Sequence, residues 1–243
     1  MKAALVVIFL CFGVCPSFGR KLPSFVTKCK LKDPEVVSCV KNRIEEYQKY
    51  IIDGVKEFHI PNLNPYVVPQ VNIQLSWMNS TFTNVEVYSI NNYTIDNFDM
   101  DFDEGFLKVR MSHKSVSMKG PYEMDGKLSQ LNFHGEGEME NDNSGIVGDI
   151  TVNGKKVTRH GKEYFEMDSA TYKFASYKVD RVYFSNLFAN NAELTERVNK
   201  IINENSDELF ADTYPAVEKI IDALVVNIIK ATFGRYSLDE LFD

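Results

Sequence analysis

The residues that could do chemistry in this chain are few and scattered. Asp99, Asp101 and Asp103 alternate in the manner that opens a calcium loop. Such a loop needs Gly at its sixth position and Glu at its twelfth, and here those places hold Glu104 and Arg110. A strand with carboxylates in water and Phe98, Met100 and Phe102 inward explains the pattern better. The four histidines, His59, His113, His134 and His160, form no H-x-x-x-H pair. The chain has no G-x-S-x-G elbow, no P-loop, no G-x-G-x-x-G and no H-E-x-x-H. Gly135-Glu136-Gly137 lies in a strand pattern and reads as a bulge or bend, not a phosphate cradle. No catalytic residue, no metal site and no cofactor is expected.

The cysteines point to a compartment. Met1–Gly19 carries Lys2, an apolar run from Ala3 to Val14, and the small-x-small pattern Ser17-Phe18-Gly19. It reads as a secretory signal peptide, with residues 20–243 as one domain. Cys11 and Cys15 leave with it; Cys29 and Cys39 remain and are expected to form a disulfide. Losing Lys2 takes the formal charge from −7 to about −8. An acidic chain of this kind disfavours nucleic acid and anionic lipid surfaces, and no second apolar run is long enough for membrane insertion. Asn79-Ser-Thr and Asn92-Tyr-Thr are glycan acceptor sequons suited to an extracellular protein.

The elements come in the order helix, many strands, helix. Asp33-Pro34 opens a helix whose apolar positions Val37, Val40, Ile44, Tyr47, Ile51, Val55 and Phe58 step by three and four, to about Phe58. Pro61, Pro65 and Pro69 then make an extended connector. From Val71 the period is two, and strands are expected over 71–77, 85–88, 98–102, 107–113, 115–119, 130–140, 145–152, 155–158, 164–167 and 172–183. Asn153-Gly154 is a strong hairpin signal and Asp125-Gly126 a second turn candidate. An antiparallel meander follows.

The last quarter, 191–232, reads as one helix of about 60 Å at 1.5 Å per residue. A kink or break is expected near Ala211–Tyr214, because Pro215 sits inside it. Its apolar residues cover more than one face, so the strands must wrap it. A closed antiparallel roll can hold one apolar ligand.

Four pieces then resemble the insect juvenile-hormone-binding protein and takeout family of secreted carriers. They are Cys29 and Cys39 before the first helix; Gly54 to Pro65, ending Ile-Pro-Asn-Leu-Asn-Pro; Gly120-Pro-Tyr-Glu-Met-Asp-Gly-Lys-Leu128 followed by Gly135 and Gly137; and Asn186-Leu-Phe188, Leu194, Asn199 and Asn203-Glu-Asn205. The resemblance implies an α+β super-roll: a strongly curved antiparallel sheet around a long C-terminal helix, related to the bactericidal/permeability-increasing-type lipid-binding fold. It also implies an apolar tunnel for a juvenile hormone, another terpenoid or a fatty-acid-like lipid. Only two cysteines remain for a disulfide, which favours the takeout branch.

The expected lining is Ile51, Val55, Phe58, Trp77, Phe133, Phe174, Ile201, Leu209, Val217, Ile221, Leu224 and Ile228, with Tyr47, Tyr122 and Tyr214 to orient a polar head. The protein is expected to be a monomeric carrier without enzymatic activity. A secreted interaction module with a filled core is the competing reading, and a hydrolase of hormone esters would need Ser, His and Asp brought together in space.

Overall fold

A computed structural model describes residues 21–189 and 191–243. The leader read in Met1–Gly19 lies outside the described residues. Six strands build one antiparallel sheet: β1 (Tyr66–Gln74), β2 (Met78–Tyr88), β3 (Tyr93–Asp101), β4 (Phe106–Leu128), β5 (Leu131–Arg159) and β6 (Lys162–Phe184). Their order is β1-β2-β4-β5-β6. β3 and β2 share one edge of β4, β3 along 106–113 and β2 along 117–126.

β5 has 29 residues, about 95 Å of strand at 3.3 Å per residue. A strand that long cannot stay flat, because twist accumulates along it. The β5–β6 register slips at Asp142/Asn143, Ser144/Val147, Val147/Gly148 and Asn153/Gly154. Each slip bends the pair, so the sheet curls. This is the strongly curved antiparallel sheet that the resemblance implied.

Several segments differ from expectation. Asn153-Gly154 and Asp125-Gly126 are not turns; β5 and β4 run straight through them. At Gly154 a Cβ would stand 2.4 Å from the Glu166 carbonyl oxygen and 2.8 Å from the Phe165 ring. The glycine is there for close approach. The tight turn falls instead at His160-Gly161, where both φ values are positive (51° and 77°). Gly135 and Gly137 mark no bulge, since the β4–β5 register is unbroken there. A Cβ at Gly135 would lie 2.7 Å from the Leu187 Cα, so the chain leaving β6 crosses directly over β5.

Helix α1 (Val36–Ile51) ends earlier than its periodicity suggests. Gly54 takes φ +85°, and a Cβ on it would meet the Ile60 carbonyl oxygen at 2.8 Å. Val55 then bridges to Ile60, and a 3₁₀ turn spans Lys56–Phe58. The connector that follows is shorter than expected: β1 begins at Tyr66 and contains Pro69. An edge strand tolerates proline because its outer N–H has no ladder partner.

The C-terminal quarter is not one rod. It divides into α2 (Ala192–Glu204), α3 (Ser206–Ala211) and α4 (Tyr214–Phe233), followed by α5 (Leu238–Leu241). The break before Tyr214 was expected, and Pro215 sits in the first turn of α4, where no N–H is needed. The break at Asn205 was not. There the side-chain Nδ2 donates to the Ile201 carbonyl at 2.7 Å, taking the acceptor that the helix would use. The Asn205 backbone N–H turns to Ile202 instead.

Two apolar clusters fill the two ends of the roll. One joins Phe82, Tyr122, Met124, Phe133 and Phe184 to Val198 and Ile202 of α2. The other joins Ile95, Phe98, Phe102, Val152 and Phe165 to Leu238 and Phe242, with Val37, Val40 and Ile44 of α1 against it. The Cys29–Cys39 disulfide is formed beside the second cluster.

Candidate functional site

Helix α4 packs on β6 along one side. Glu218 and Asp222, one helical turn apart, accept hydrogen bonds from the backbone N–H groups of Phe174 and Tyr172. Glu218 also pairs with Lys173. Burial raises the Glu218 carboxyl, but the Lys173 and Phe174 hydrogen bonds and the Lys173 charge outweigh it and hold the group below its ordinary value. This side of the roll is closed.

The other side is open. A groove of about 500 Å³ separates α4 from β1. Strand β1 contributes Tyr66, Val68 and Pro69, and the turn before it contributes His59 and Pro61. Helix α4 contributes Lys219, Ile220, Ala223, Leu224 and Asn227, a single stripe at helical spacing. Val68, Ile220 and Leu224 make an apolar floor, while Lys219, His59 and Asn227 are exposed. The opening is a lateral groove; its walls are a strand edge and a helix face.

The middle of α4 explains why the groove matters. Ile220 packs on the first cluster, and Ile229 and Phe233 on the second. Between them Ile221, Leu224 and Ile228 are only half-buried, as is Val217, and Val225 is buried. This part of the helix carries apolar surface that the protein's own side chains do not fully cover.

An aromatic group stands between β6 and the first residue of α4. The Tyr177 and Tyr214 ring centroids are 4.9 Å apart, and Phe174 stands 5.0 Å from Tyr177 and 5.8 Å from Tyr214. The Tyr177 hydroxyl donates to Asn143 Oδ1 at 2.6 Å, and Asn143 is 1% exposed. Burial pushes the Tyr177 and Tyr172 phenols well above their usual range, so both stay neutral.

A model of the haemolymph juvenile hormone binding protein family matches residues 5–243. The chain belongs to that family. It is 22% identical over 235 residues to the circadian clock-controlled protein daywake of Drosophila melanogaster, covering 91% of this chain and 88% of that one. The Drosophila yakuba daywake protein is 21% identical over 238 residues, covering 92% and 89%. The crystal structure of Epiphyas postvittana Takeout 1 superposes with a TM-score of 0.73 at 19% identity, over 90% of this chain and all of that one. The family takes its name from binding and not from catalysis.

Of the twelve lining residues read from the sequence, Leu224 lies in the groove itself. Val217, Ile221 and Ile228 share its helix. Phe174 stands in the aromatic group, whereas Phe133 is buried inside the first cluster, with Trp77 and Leu209 packed against that cluster. Ile51 is half-buried at the end of α1, Val55 is buried in its bridge to Ile60, and Phe58 meets Tyr236 edge-on at 6.0 Å. Ile201 is 44% exposed on α2, because the inward face of that helix is Thr195, Val198, Asn199 and Ile202.

Two of the three tyrosines are tied to backbone. The Tyr122 hydroxyl donates to the Ser185 carbonyl at 2.6 Å. The Tyr47 hydroxyl bonds both the N–H and the carbonyl of Thr27, pinning the N-terminal arm. Tyr214 alone of the three stands on α4.

The groove residues His59, Pro61, Tyr66, Val68, Lys219, Ile220 and Asn227 were not anticipated. A usable signal existed: Tyr66-Val-Val68 has strand propensity, and Lys219, Ala223 and Asn227 share one helical stripe.

The remaining candidates serve local structure. Asp101 Oδ1 accepts from the Asp103 and Glu104 N–H groups, and Asp103 pairs with Lys156. His134 pairs with Asp125, and His113 faces the Ile90 carbonyl. Among the described residues no group of His, Cys, Asp and Glu is arranged to hold a metal ion.

Proposed function

We propose that this protein is a secreted, monomeric carrier. It holds one hydrophobic small molecule (a juvenile hormone, another terpenoid or a fatty-acid-like lipid) in an apolar tunnel along α4, entered through the β1–α4 groove. The incompletely covered middle of α4, lying beneath an open groove of about 500 Å³, carries this reading. That volume falls within the range that ordinary ligand sites occupy. Family membership supports it.

The mechanism is burial. Covering roughly 300 Å² of apolar ligand at about 25 cal/mol per Å² supplies on the order of 7 kcal/mol before the costs of association. No bond needs to be made or broken, and the reading assigns no enzymatic role.

The Cys29–Cys39 disulfide and two exposed sequon asparagines, Asn79 and Asn92, suit an extracellular protein. No helix among the described residues is long and apolar enough to cross a membrane.

The test is organic extraction of the purified protein followed by mass spectrometry, together with displacement of a fluorescent fatty-acid probe. A co-purifying lipid or saturable, displaceable probe binding is expected. Neither being found would favour an interaction module with a filled interior.

A further inference from the structure

We propose that the outer edge of β1 takes an extended, uncharged peptide segment of a partner protein, laid in the β1–α4 groove as an added strand of the sheet. This interaction surface is independent of the carrier reading.

The contrast between the sheet edges carries the inference. β6, β3 and β1 each have one side that pairs with no strand. Helices dress the first two. Asn199 and Asn203 of α2 and Glu218 and Asp222 of α4 bond the backbone of β6. From α1, Glu45 accepts from the Ile95 N–H of β3 at 3.2 Å, and Gln48 donates to the Tyr93 carbonyl. β1 has no such cover. Beside the groove, the outer backbone groups of Tyr66, Val68 and Pro69 have no hydrogen-bond partner among the described residues. Sheet edges of this kind are commonly guarded by charged side chains. Here the chain from Ile60 to Val85 carries no Asp, Glu, Lys or Arg, although a quarter of all residues are charged. An extended backbone satisfies a row of unpaired N–H and C=O groups in a way that an alkyl chain does not, and peptides add to open sheet edges in this manner. The facing wall suits such a strand, because Ile220, Ala223 and Leu224 offer an apolar surface to alternate side chains. The two walls also match in length. β1 advances about 10 Å from Tyr66 to Pro69, and α4 rises about 12 Å from Lys219 to Asn227. The groove therefore accommodates about four extended residues.

The test titrates isotope-labelled protein with the capped peptide acetyl-Thr-Val-Thr-Val-Thr-Val-amide, read by NMR shifts and amide hydrogen exchange. Saturable shifts are expected along β1 and the groove face of α4, with slower exchange at the β1 amides that border the groove. The same peptide with its amides N-methylated is more apolar but cannot donate, and it is expected to bind about tenfold more weakly. Ala223→Trp, which fills the space opposite β1, is expected to weaken the parent peptide by a similar factor. No shift along β1 at millimolar parent peptide would overturn the assignment. So would equal binding of the N-methylated peptide, which would mean apolar adsorption without a ladder. Uptake of the neutral probe N-phenyl-1-naphthylamine, measured in the same samples, keeps the two readings apart. Peptide pairing on protein that takes up no probe would uphold the edge site and count against the carrier; probe uptake without pairing would do the reverse.

Discussion

Asn199 of α2 makes with Phe184 of β6 the two hydrogen bonds that a neighbouring strand would make. Its Oδ1 accepts from the Phe184 N–H at 2.9 Å and its Nδ2 donates to the Phe184 carbonyl at 2.9 Å. Asn203, one turn on, does the same to Val182 at 2.8 and 2.7 Å. Four helical residues rise about 6 Å and two strand residues about 6.6 Å, so the two periods match. Farther along β6, Glu218 and Asp222 repeat the device for Phe174 and Tyr172, using acceptors only. The last strand of the sheet thus has its edge covered by side chains from two helices.

Asn199 is 3% exposed. Replacing it with Ala strands a buried N–H and a buried carbonyl, and each costs about 1–3 kcal/mol when unsatisfied. Asn199→Ala is expected to lower stability by about 2–4 kcal/mol in urea titration. Asn205→Ala, whose exposed amide only caps its own helix, is expected to change it by less than about 1 kcal/mol. Equal effects would contradict the edge-pairing role.

Glu218 makes stability depend on pH, with a definite sign. Its carboxyl is held below the ordinary value of 4.5. A depressed carboxyl contributes stability above the unfolded value and loses it as pH falls through the folded one. Glu218→Gln keeps an acceptor for the Phe174 N–H and loses the pairing with Lys173. Because Lys173 is largely exposed, the loss near pH 7 should be about 1 kcal/mol. The gap between wild type and variant should narrow as pH falls below 4.5. Urea midpoints at pH 7, 5 and 3.5 measure this, and a gap that widens in acid would refute it.

Local signals carried much of the fold. The first helix, the period-two runs and the Pro215 break each rest on residues within a turn of one another, although that helix begins at Val36, two residues after the Pro34 start that Asp33-Pro34 suggested. The errors share a cause. Asn153-Gly154 has the chemistry of a hairpin turn, but its glycine answers to Phe165 and Glu166 on the next strand. Gly135 likewise answers to Leu187, fifty-two residues away. The groove was hidden for the same reason. Its floor depends on which sheet edge is left uncovered, and β6 is covered by amides and carboxylates whose role appears only once α2 and α4 are docked. Val68 and Ile220 look like any other core residues until then.

The disulfide ties the N-terminal arm to α1 at the place where the arm pairs with the far end of the chain. Cys29 accepts from the Asp243 N–H at 2.9 Å, and the Leu31 N–H donates to the Asp243 carbonyl at 3.0 Å. The bond spans ten residues, and a closed loop of that size contributes about 2–3 kcal/mol. The double variant Cys29→Ser/Cys39→Ser is expected to lose that much, with faster hydrogen exchange at Leu31 and Asp243. Unchanged exchange at both amides would show that the terminal pairing holds without the bond.

Asn79 and Asn92 are both open to solvent. Asn79 points outward from β2 between the buried Met78 and Ser80, and Asn92 sits in the turn before β3. Protein made through a secretory pathway is expected to show two glycosidase-sensitive mass steps, one lost in Asn79→Gln and the other in Asn92→Gln. Protein secreted at its unmodified mass would rule out both sites.

Ala223 separates lateral entry through the groove from entry at the ends of the roll. It is exposed on the groove wall, one turn from Lys219 and beside Leu224. Ala223→Trp would place an indole across the opening without displacing any buried side chain, so the thermal midpoint should stay within about 2 °C of wild type. If ligand passes between β1 and α4, association of the neutral probe should slow at least tenfold. A tunnel entered from the ends of the roll would leave that rate unchanged, and the groove would then have no part in uptake. Comparing association with dissociation sharpens the result: a blocked portal slows both, whereas a distorted binding site speeds release.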